Sequence, residues 1–258
     1  MAEPLGRVAV VTAAADGIGA ATAHAFAASG DALVLVDIDG ANLERAAGEI
    51  RDAVATAGRA EPEILVVTAD VTDENAVDSL VAGSLERFGR IDVLVNVVGG
   101  SRPGKTAVEL SSAEWQQLLA LNLTSTFLMC RAVVPHMEQR GSGAIVNVSS
   151  GAGLRGMSKN PGYCAAKAGV VGLTRALAID HGPNGVRVNC VAPGPVRTPL
   201  MRRNGTPEEI ASMGRLALMG RIGEPHEIAA AIHWLASDGA SYVMGQTIEV
   251  DGGPAASI

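Results

Sequence analysis

Seven short runs dense in valine, isoleucine and leucine punctuate the chain, at residues 7–12, 32–37, 64–69, 91–98, 144–149, 186–191 and 247–250. Their apolar character is nearly continuous rather than alternating, as befits strands buried on both faces. Between them lie stretches with helical spacing. The clearest covers 72–88, where Val77, Leu80, Val81, Leu85 and Phe88 share one stripe. Thr72 is the expected N-cap of that helix, followed by Asp73 and Glu74, and Gly89 is its stop signal. Strand–helix–strand alternation predicts parallel pairing through right-handed crossovers. The expectation is a single doubly wound α/β domain over residues 1–258, a seven-stranded parallel sheet with helices on both faces. No linker rich in Pro, Gly or Ser divides the chain, and no repeat of fixed period appears.

Composition narrows the function classes. The 258 residues carry 20 Lys plus Arg against 27 Asp plus Glu, a net charge of −7. That balance argues against a nucleic-acid or anionic-membrane binder, since phosphate neutralisation needs clustered cations. The longest uncharged run, Trp115 to Cys130, is short of a bilayer crossing and contains six polar side chains, Gln116, Gln117, Asn122, Thr124, Ser125 and Thr126. The first residues lack a basic n-region and an apolar h-region, so no secretion leader is expected. Three cysteines, Cys130, Cys164 and Cys190, are odd in number and without CxxC spacing. We expect reduced thiols in a cytoplasmic setting and no metal.

In open α/β sheets ligands bind beyond the carboxyl ends of the strands. After the first run, Thr12-Ala13-Ala14-Ala15-Asp16-Gly17-Ile18-Gly19 leads into a helical run. Gly17 and Gly19 would let the backbone approach a pyrophosphate, which a helix start meets with free N–H groups and a positive dipole end. Alone, a glycine pair before a helix is often only a turn. Eighteen residues past Gly19 the second run ends in Asp37, placed to accept hydrogen bonds from a ribose diol or, more plainly, a solvated strand-end carboxylate. An acid there, with Asp16 in the glycine loop, would repel a 2′-phosphate, so NAD is expected rather than NADP. Asp70-Val71, after the third run, either meets the adenine or simply opens the next helix. Tyr163 and Lys167 stand four apart, on one face of a helix. An ammonium beside a phenol favours the phenolate and lowers its pKa from ~10, as a general acid/base requires; on spacing alone, a surface pair is the commoner reading. Asn122 sits in an apolar stretch, where an amide must be satisfied or functional.

The pair Ser149-Ser150 followed by Tyr163-Cys164-Ala165-Ala166-Lys167, with thirteen residues from Ser150 to Tyr163, resembles the signature of the classical short-chain dehydrogenase/reductase family. The likeness continues through Asn96-Val97-Val98-Gly99, Asn122, Arg187-Val188-Asn189, Pro193-Gly194 and Val250-Asp251-Gly252-Gly253, nearly the whole chain; by length and simple motif set the sequence generally resembles the 3-oxoacyl-acyl-carrier-protein reductase-like branch, which Asp37 fits poorly. The resemblance implies a Rossmann-type fold and a catalytic set of Asn122, Ser150, Tyr163 and Lys167. Tyr163 moves the proton, Ser150 aligns the reacting oxygen, and Asn122 holds a water that links Lys167 to a relay. The cofactor would be held by Thr12, Asp16, Gly17, Ile18 and Gly19, by Asp37, Asp70 and Val71, by Asn96 and Gly99, and by Tyr163 and Lys167, the latter on the nicotinamide ribose. Pro193, Gly194, Val196 and Thr198 would close over the nicotinamide.

Two positions depart from the family pattern. Ala13 replaces the first loop glycine, and we expect a negative φ there because Gly17 and Gly19 make the closest approach. Val97 replaces a second asparagine, so its hydrogen bond is lost. Residues 199–223 form the expected substrate lid, mixing Leu200, Met201, Met213, Leu216, Leu218 and Met219 with Arg202, Arg203, Arg215 and Arg221. These cations, with Arg102 and Lys105, either meet a carboxylate or carrier phosphate or are solvated surface charges. The implied function is NAD(H)-linked interconversion of a small secondary alcohol and a ketone by a homo-oligomer, a tetramer or dimer. A 3-oxoacyl-thioester reductase is the main alternative, ahead of a non-catalytic NAD-binding regulator or a nucleotide-sugar epimerase.

Overall fold

The computed structural model describes residues 6–253, except Leu216 and the side chain of Asn204. The expected contribution of Leu216 to the lid therefore lies outside the described residues. Seven strands, β1 (Val8–Thr12), β2 (Ala32–Asp37), β3 (Ile64–Thr68), β4 (Val93–Asn96), β5 (Gly143–Val148), β6 (Val186–Pro193) and β7 (Thr247–Val250), form one sheet in the order β3-β2-β1-β4-β5-β6-β7. Every pairing is parallel. β1, β2, β4 and β5 are almost wholly buried, which is why their sequences carry apolar residues at consecutive positions. The edge strands β3 and β7 are only half-buried.

Helices cover both faces. On one, α1 (Gly17–Ala28), α2 (Gly40–Thr56) and a late helix at Pro225–Leu235 bury Phe26, Leu43, Ile50, Ile228 and Ile232. The other receives α3 (Glu74–Phe88) and α5 (Ser125–Arg140), with Leu80, Phe88, Met129, Val133 and Met137 in its core. The stripe on α3 packs as its spacing predicts, but its N-cap is Asp73 rather than Thr72. Asp73 Oδ1 accepts from Asn75 N at 2.9 Å, whereas the Thr72 hydroxyl donates to Asp70 Oδ1. A carboxylate is the stronger acceptor for orphan N–H groups at a positive helix end. Gly89 ends the helix at φ +71°, as expected of a left-handed cap.

β4 is shorter than the apolar run at 91–98. Val97 and Val98 leave the ladder because their N–H groups turn to Thr12 Oγ1, at 3.0 and 3.4 Å. α4 (Ser112–Leu119), a π-helical turn (Ala120–Thr124) and α5 run on as 29 continuous residues, long and apolar enough by composition to cross a membrane. Half of that apolar stretch is buried inside the protein, and it serves as a core helix. The chain continues through α6 (Gly151–Arg155), α7 (Pro161–His181), α8 (Pro199–Asn204) and α9 (Pro207–Arg215).

Candidate active site

The strand order reverses direction between β1 and β4, and the crevice beyond their carboxyl ends is the place where such sheets bind ligands. Thr12 latches the two sides together. It is 1% exposed, donates to Val95 O and accepts from Val97 and Val98 N–H. Gly17 adopts φ +57°, and a Cβ on it would stand 3.2 Å from Thr198 Cγ2. The loop after β1 thus meets the turn after β6. At Gly19 a Cβ would fall 1.9 Å from Ala13 O, so only glycine lets α1 start against this loop.

Ala13 contradicts the expectation of a negative φ. It sits at +53°, because Ala14 N must reach Val36 O and the Ala13 carbonyl is pressed beneath Gly19. An L-residue there costs about 1 kcal/mol. Ala13→Gly should therefore raise the melting temperature by about 2–4 °C in a chain of this size, read by thermal denaturation; an unchanged or lower value would show the loop to be unstrained.

Asp37 lies beside the same loop. Its Oδ2 accepts from Ala15 N at 3.1 Å and its Oδ1 from Asp39 N at 3.0 Å, so the carboxylate is held in place with lone pairs to spare. Asp16 precedes α1 as its N-cap without using its side chain. Ile38, which the sequence reading passed over, is 70% exposed immediately after Asp37. It offers an apolar platform beside the crevice, and its only sequence signal is an apolar residue stranded between two acids. Asp70 Oδ1 accepts from both the N–H and the hydroxyl of Thr72, which favours the plainer reading of this acid as a turn-former. Val71 is buried, leaving its backbone as the part a ligand can reach. The Asn96 side chain is buried too, donating to Asn147 Oδ1 at 2.9 Å and to Cys130 Sγ. It belongs to the core between β4 and β5.

The four expected catalytic residues converge at the ends of β4 and β5 and on α7. Ser150 caps α6; its Oγ accepts from Ala152 N at 3.1 Å, which leaves its proton to give. α6 packs so closely on α7 that a Cβ on Gly153 would lie 2.7 Å from the Lys167 carbonyl carbon, and Ser149 Oγ donates to that carbonyl oxygen at 2.7 Å. α7 opens with Pro161 in its first turn, a natural helix start. Tyr163 follows, near enough to Ser150 for that hydroxyl to act on its phenol. Lys167 lies one turn on, 2% exposed, with Nζ donating to Val148 O at 2.9 Å.

The electrostatics differ from the expectation that lysine depresses the phenol. Burial pushes the Tyr163 pKa up, and the Ser150 hydroxyl pulls it partly back. Lys167 Nζ is 6.0 Å from the ring centroid and bonded to a backbone carbonyl. Its own pKa falls to about 8, chiefly through burial. The protein alone therefore does not make a phenolate; a further positive charge beside the ring is needed.

Asn122 is fully buried in the π-helical turn. Its Oδ1 accepts from Gly100 N at 2.9 Å, and its Nδ2 donates to Gly100 O and Leu118 O, each at 3.0 Å. π-Turns inside α-helices recur at functional sites, and this one aims an amide at the loop after β4. A Cβ on Gly99 would stand 2.7 Å from Lys167 Nζ and 2.8 Å from Asn122 Oδ1, so that loop lies directly over the lysine.

The turn after β6 is supported from below. Gly194 N donates to Val250 O, and a Cβ on Gly194 would meet Asp251 Cβ at 2.7 Å, giving the closing Val250-Asp251 pair a structural purpose. Pro193 ends β6 at full burial, and Val196 is buried as well, leaving backbone to face a ligand. Thr198 Oγ1 accepts from Met201 N at 3.1 Å and caps α8. Within the segment expected to form a lid, Leu200, Met213, Leu218 and Met219 stay exposed, so packing on the body does not consume them. Arg221 is paired with Glu227 and Lys105 with Glu114, while Arg102 meets only Gln117 among the described residues. Arg202, Arg203 and Arg215 have no ion-pair partner among the described residues.

A family model described as enoyl-(acyl carrier protein) reductase matches residues 12–254. The chain is 43% identical over 248 residues to the cis-4-hydroxycyclohexanecarboxylate dehydrogenase of Sinomonas cyclohexanicum, covering 96% of each. It is 38% identical to the 3-oxoacyl-[acyl-carrier-protein] reductase FabG of Thermotoga maritima, over 96% of this chain and 97% of the other. Among solved structures it resembles the crystal structure of levodione reductase, with a TM-score of 0.90, 36% identity and 98% coverage of both chains.

Proposed function

The chain belongs to the short-chain dehydrogenase/reductase family, and from that membership we propose an NAD(H)-linked oxidoreductase that interconverts a secondary alcohol and a ketone, with Tyr163 as its general acid/base. The observation that carries the reading is the pairing of Tyr163 with a buried lysine one helical turn away, its Nζ 6.0 Å from the ring centroid, on the helix against which Ser150 and α6 pack.

The residues fit a nicotinamide dinucleotide. Lys167 has three N–H donors and one protein acceptor, Val148 O, so a buried ammonium is left with donors for ribose hydroxyls. The left-handed Gly17 and the forbidden Cβ at Gly19 make a cradle open to a pyrophosphate. Bound, the cofactor supplies the carbon that accepts or returns the hydride and, when oxidised, a positive ring. Ser150 donates to the substrate oxygen and fixes its position. In alcohol oxidation the Tyr163 phenolate takes the hydroxyl proton as the carbon–hydrogen bond breaks; in reduction the phenol gives it back. Asn122 holds the loop over Lys167 and, through a water, would pass the proton outward.

Asp37 supports NAD over NADP, since its carboxylate would face a 2′-phosphate. Like-charge apposition of this kind costs several kcal/mol, so NAD+ should bind about 100-fold or more tightly than NADP+. Fluorescence titration with both coenzymes reads the ratio, and tighter NADP+ binding would overturn the assignment. A second reading, a thioester or other anionic substrate, is favoured by Arg202, Arg203 and Arg215; activity on a short 3-oxoacyl-CoA exceeding that on neutral ketones would establish it. We also assign the chain to a reducing, cytoplasmic compartment, in keeping with its free cysteines. Assembly into a dimer or tetramer would cover Phe127 and Ile179, both exposed on α5 and α7, together with the β7 edge. Sedimentation as a monomer at working concentration would exclude it.

A further inference from the structure

The loop leaving β4 is fastened to the catalytic machinery at two points. Asn122 holds Gly100 through both of its backbone groups. Just beyond, Ser101 Oγ lies 2.6 Å from Nδ2 of Asn160, and the Lys159 carbonyl accepts from Gly104 and Lys105 N–H at 2.9 and 3.1 Å. Asn160 is 1% exposed and precedes Tyr163 by three residues, as the N-cap of α7. Its side chain makes no cap bond; Nδ2 goes to Ser101, with a longer contact to Met157 Sδ at 3.4 Å. Its Oδ1 is buried without a partner among the described residues. A half-satisfied buried amide costs stability, and this cost falls beside the active site, where binding can justify it. Because Nδ2 donates, the Ser101 oxygen accepts, and the Ser101 proton has no protein acceptor among the described residues. Ser101 itself remains partly exposed, two residues past the glycine that touches Lys167.

We propose that Ser101, oriented by Asn160, donates a hydrogen bond to a second oxygen of the substrate, next to the carbon that reacts. Ser101 is then a specificity residue and Asn160 its positioning residue. The site favours vicinal diols and hydroxyketones over alcohols with a single oxygen. This inference rests on the oxidoreductase reading above.

The test is the ratio of kcat/KM for trans-1,2-cyclohexanediol to that for cyclohexanol, in the wild type, Ser101→Ala, Asn160→Asp and the double variant. Aspartate matches asparagine in shape but only accepts, so it draws the Ser101 proton inward. The wild type should prefer the diol by about tenfold or more, and each single variant should bring the ratio near one. The double variant should match Ser101→Ala, because Asn160 acts through Ser101. A diol preference that survives in Ser101→Ala overturns the proposal, as does a wild type that turns over cyclohexanol without favouring the diol. A ratio unchanged in Asn160→Asp overturns the positioning role; should that variant fail to fold, Ser101→Ala decides alone. No turnover of any alcohol by the wild type removes the oxidoreductase reading and this inference with it.

Discussion

Replacing Tyr163 by phenylalanine is expected to lower turnover by about 10³- to 10⁴-fold, at the upper end of what a positioned acid/base supplies, while NADH affinity stays within about twofold. Phenylalanine keeps the ring and removes only the hydroxyl proposed to carry the proton, and the glycine cradle at Gly17 and Gly19 is untouched. Direction of pH dependence follows from the same residue. Burial raises the phenol and Ser150 lowers it, so the unliganded protein holds Tyr163 protonated at neutral pH. Alcohol oxidation needs the phenolate and should speed up as pH rises through the pKa of the loaded site. Ketone reduction needs the phenol and should slow over the same range. Steady-state rates in both directions, with coenzyme binding measured separately, check each part; retained turnover in the variant would refute the assignment.

Lys167→Met is expected to abolish activity and yet stabilise the unliganded protein at neutral pH. In the folded state the ammonium titrates at about 8 against an ordinary 10.5, because burial opposes its charge. Between those values the unfolded chain holds a proton that the folded chain has released, so stability rises with pH across that window. Below about 8 the full penalty applies, about 3 kcal/mol at 1.4 kcal/mol per pKa unit. Methionine removes it, at the loss of about 1 kcal/mol for the bond to Val148 O. The net gain of about 2 kcal/mol corresponds to a rise of about 4–8 °C in melting temperature near pH 7. Thermal melts across the alkaline range should show the advantage of the variant shrinking from about pH 8, the two curves crossing near pH 10, and the wild type the more stable by about 1 kcal/mol above that. A variant less stable than the wild type at pH 7 would mean that the lysine is held charged at no cost, contrary to this account. The expected result would make the lysine a case of stability surrendered at a functional site.

The fold was legible in the sequence because parallel strands buried on both faces leave runs of Val, Ile and Leu that nothing else in the chain imitates. The spacing of Ser150, Tyr163 and Lys167 was legible because a helix fixes which side chains share a face. What escaped depended on contacts between distant segments. The φ of Ala13 is set by Gly19 and Val36, which no local pattern encodes. The length of β4 is set by Thr12, which captures two N–H groups from across the crevice. The cap of α3 fell to Asp73 instead of Thr72 because the threonine was already engaged by Asp70. Asn96 matched a motif, yet its side chain serves the core. Ser101 and Asn160 carry no motif, and their pairing exists only because two loops meet. Spacing puts lysine and phenol on one face, and only coordinates place Nζ 6.0 Å from the ring centroid and bonded to Val148 O, so that in the unliganded protein burial outweighs the cation.

The proton-transfer role proposed for Tyr163 can be measured without turnover. The chain has two tyrosines, Tyr163 and the exposed Tyr242, so the difference in tyrosinate absorbance between wild type and Tyr163→Phe isolates one phenol. Titrated alone it should ionise above the ordinary value, and on saturation with NAD+ it should drop to coincide with the pKa that governs alcohol oxidation. A phenol whose titration ignores NAD+, or whose pKa in the complex stands apart from that of the rate, would contradict the account.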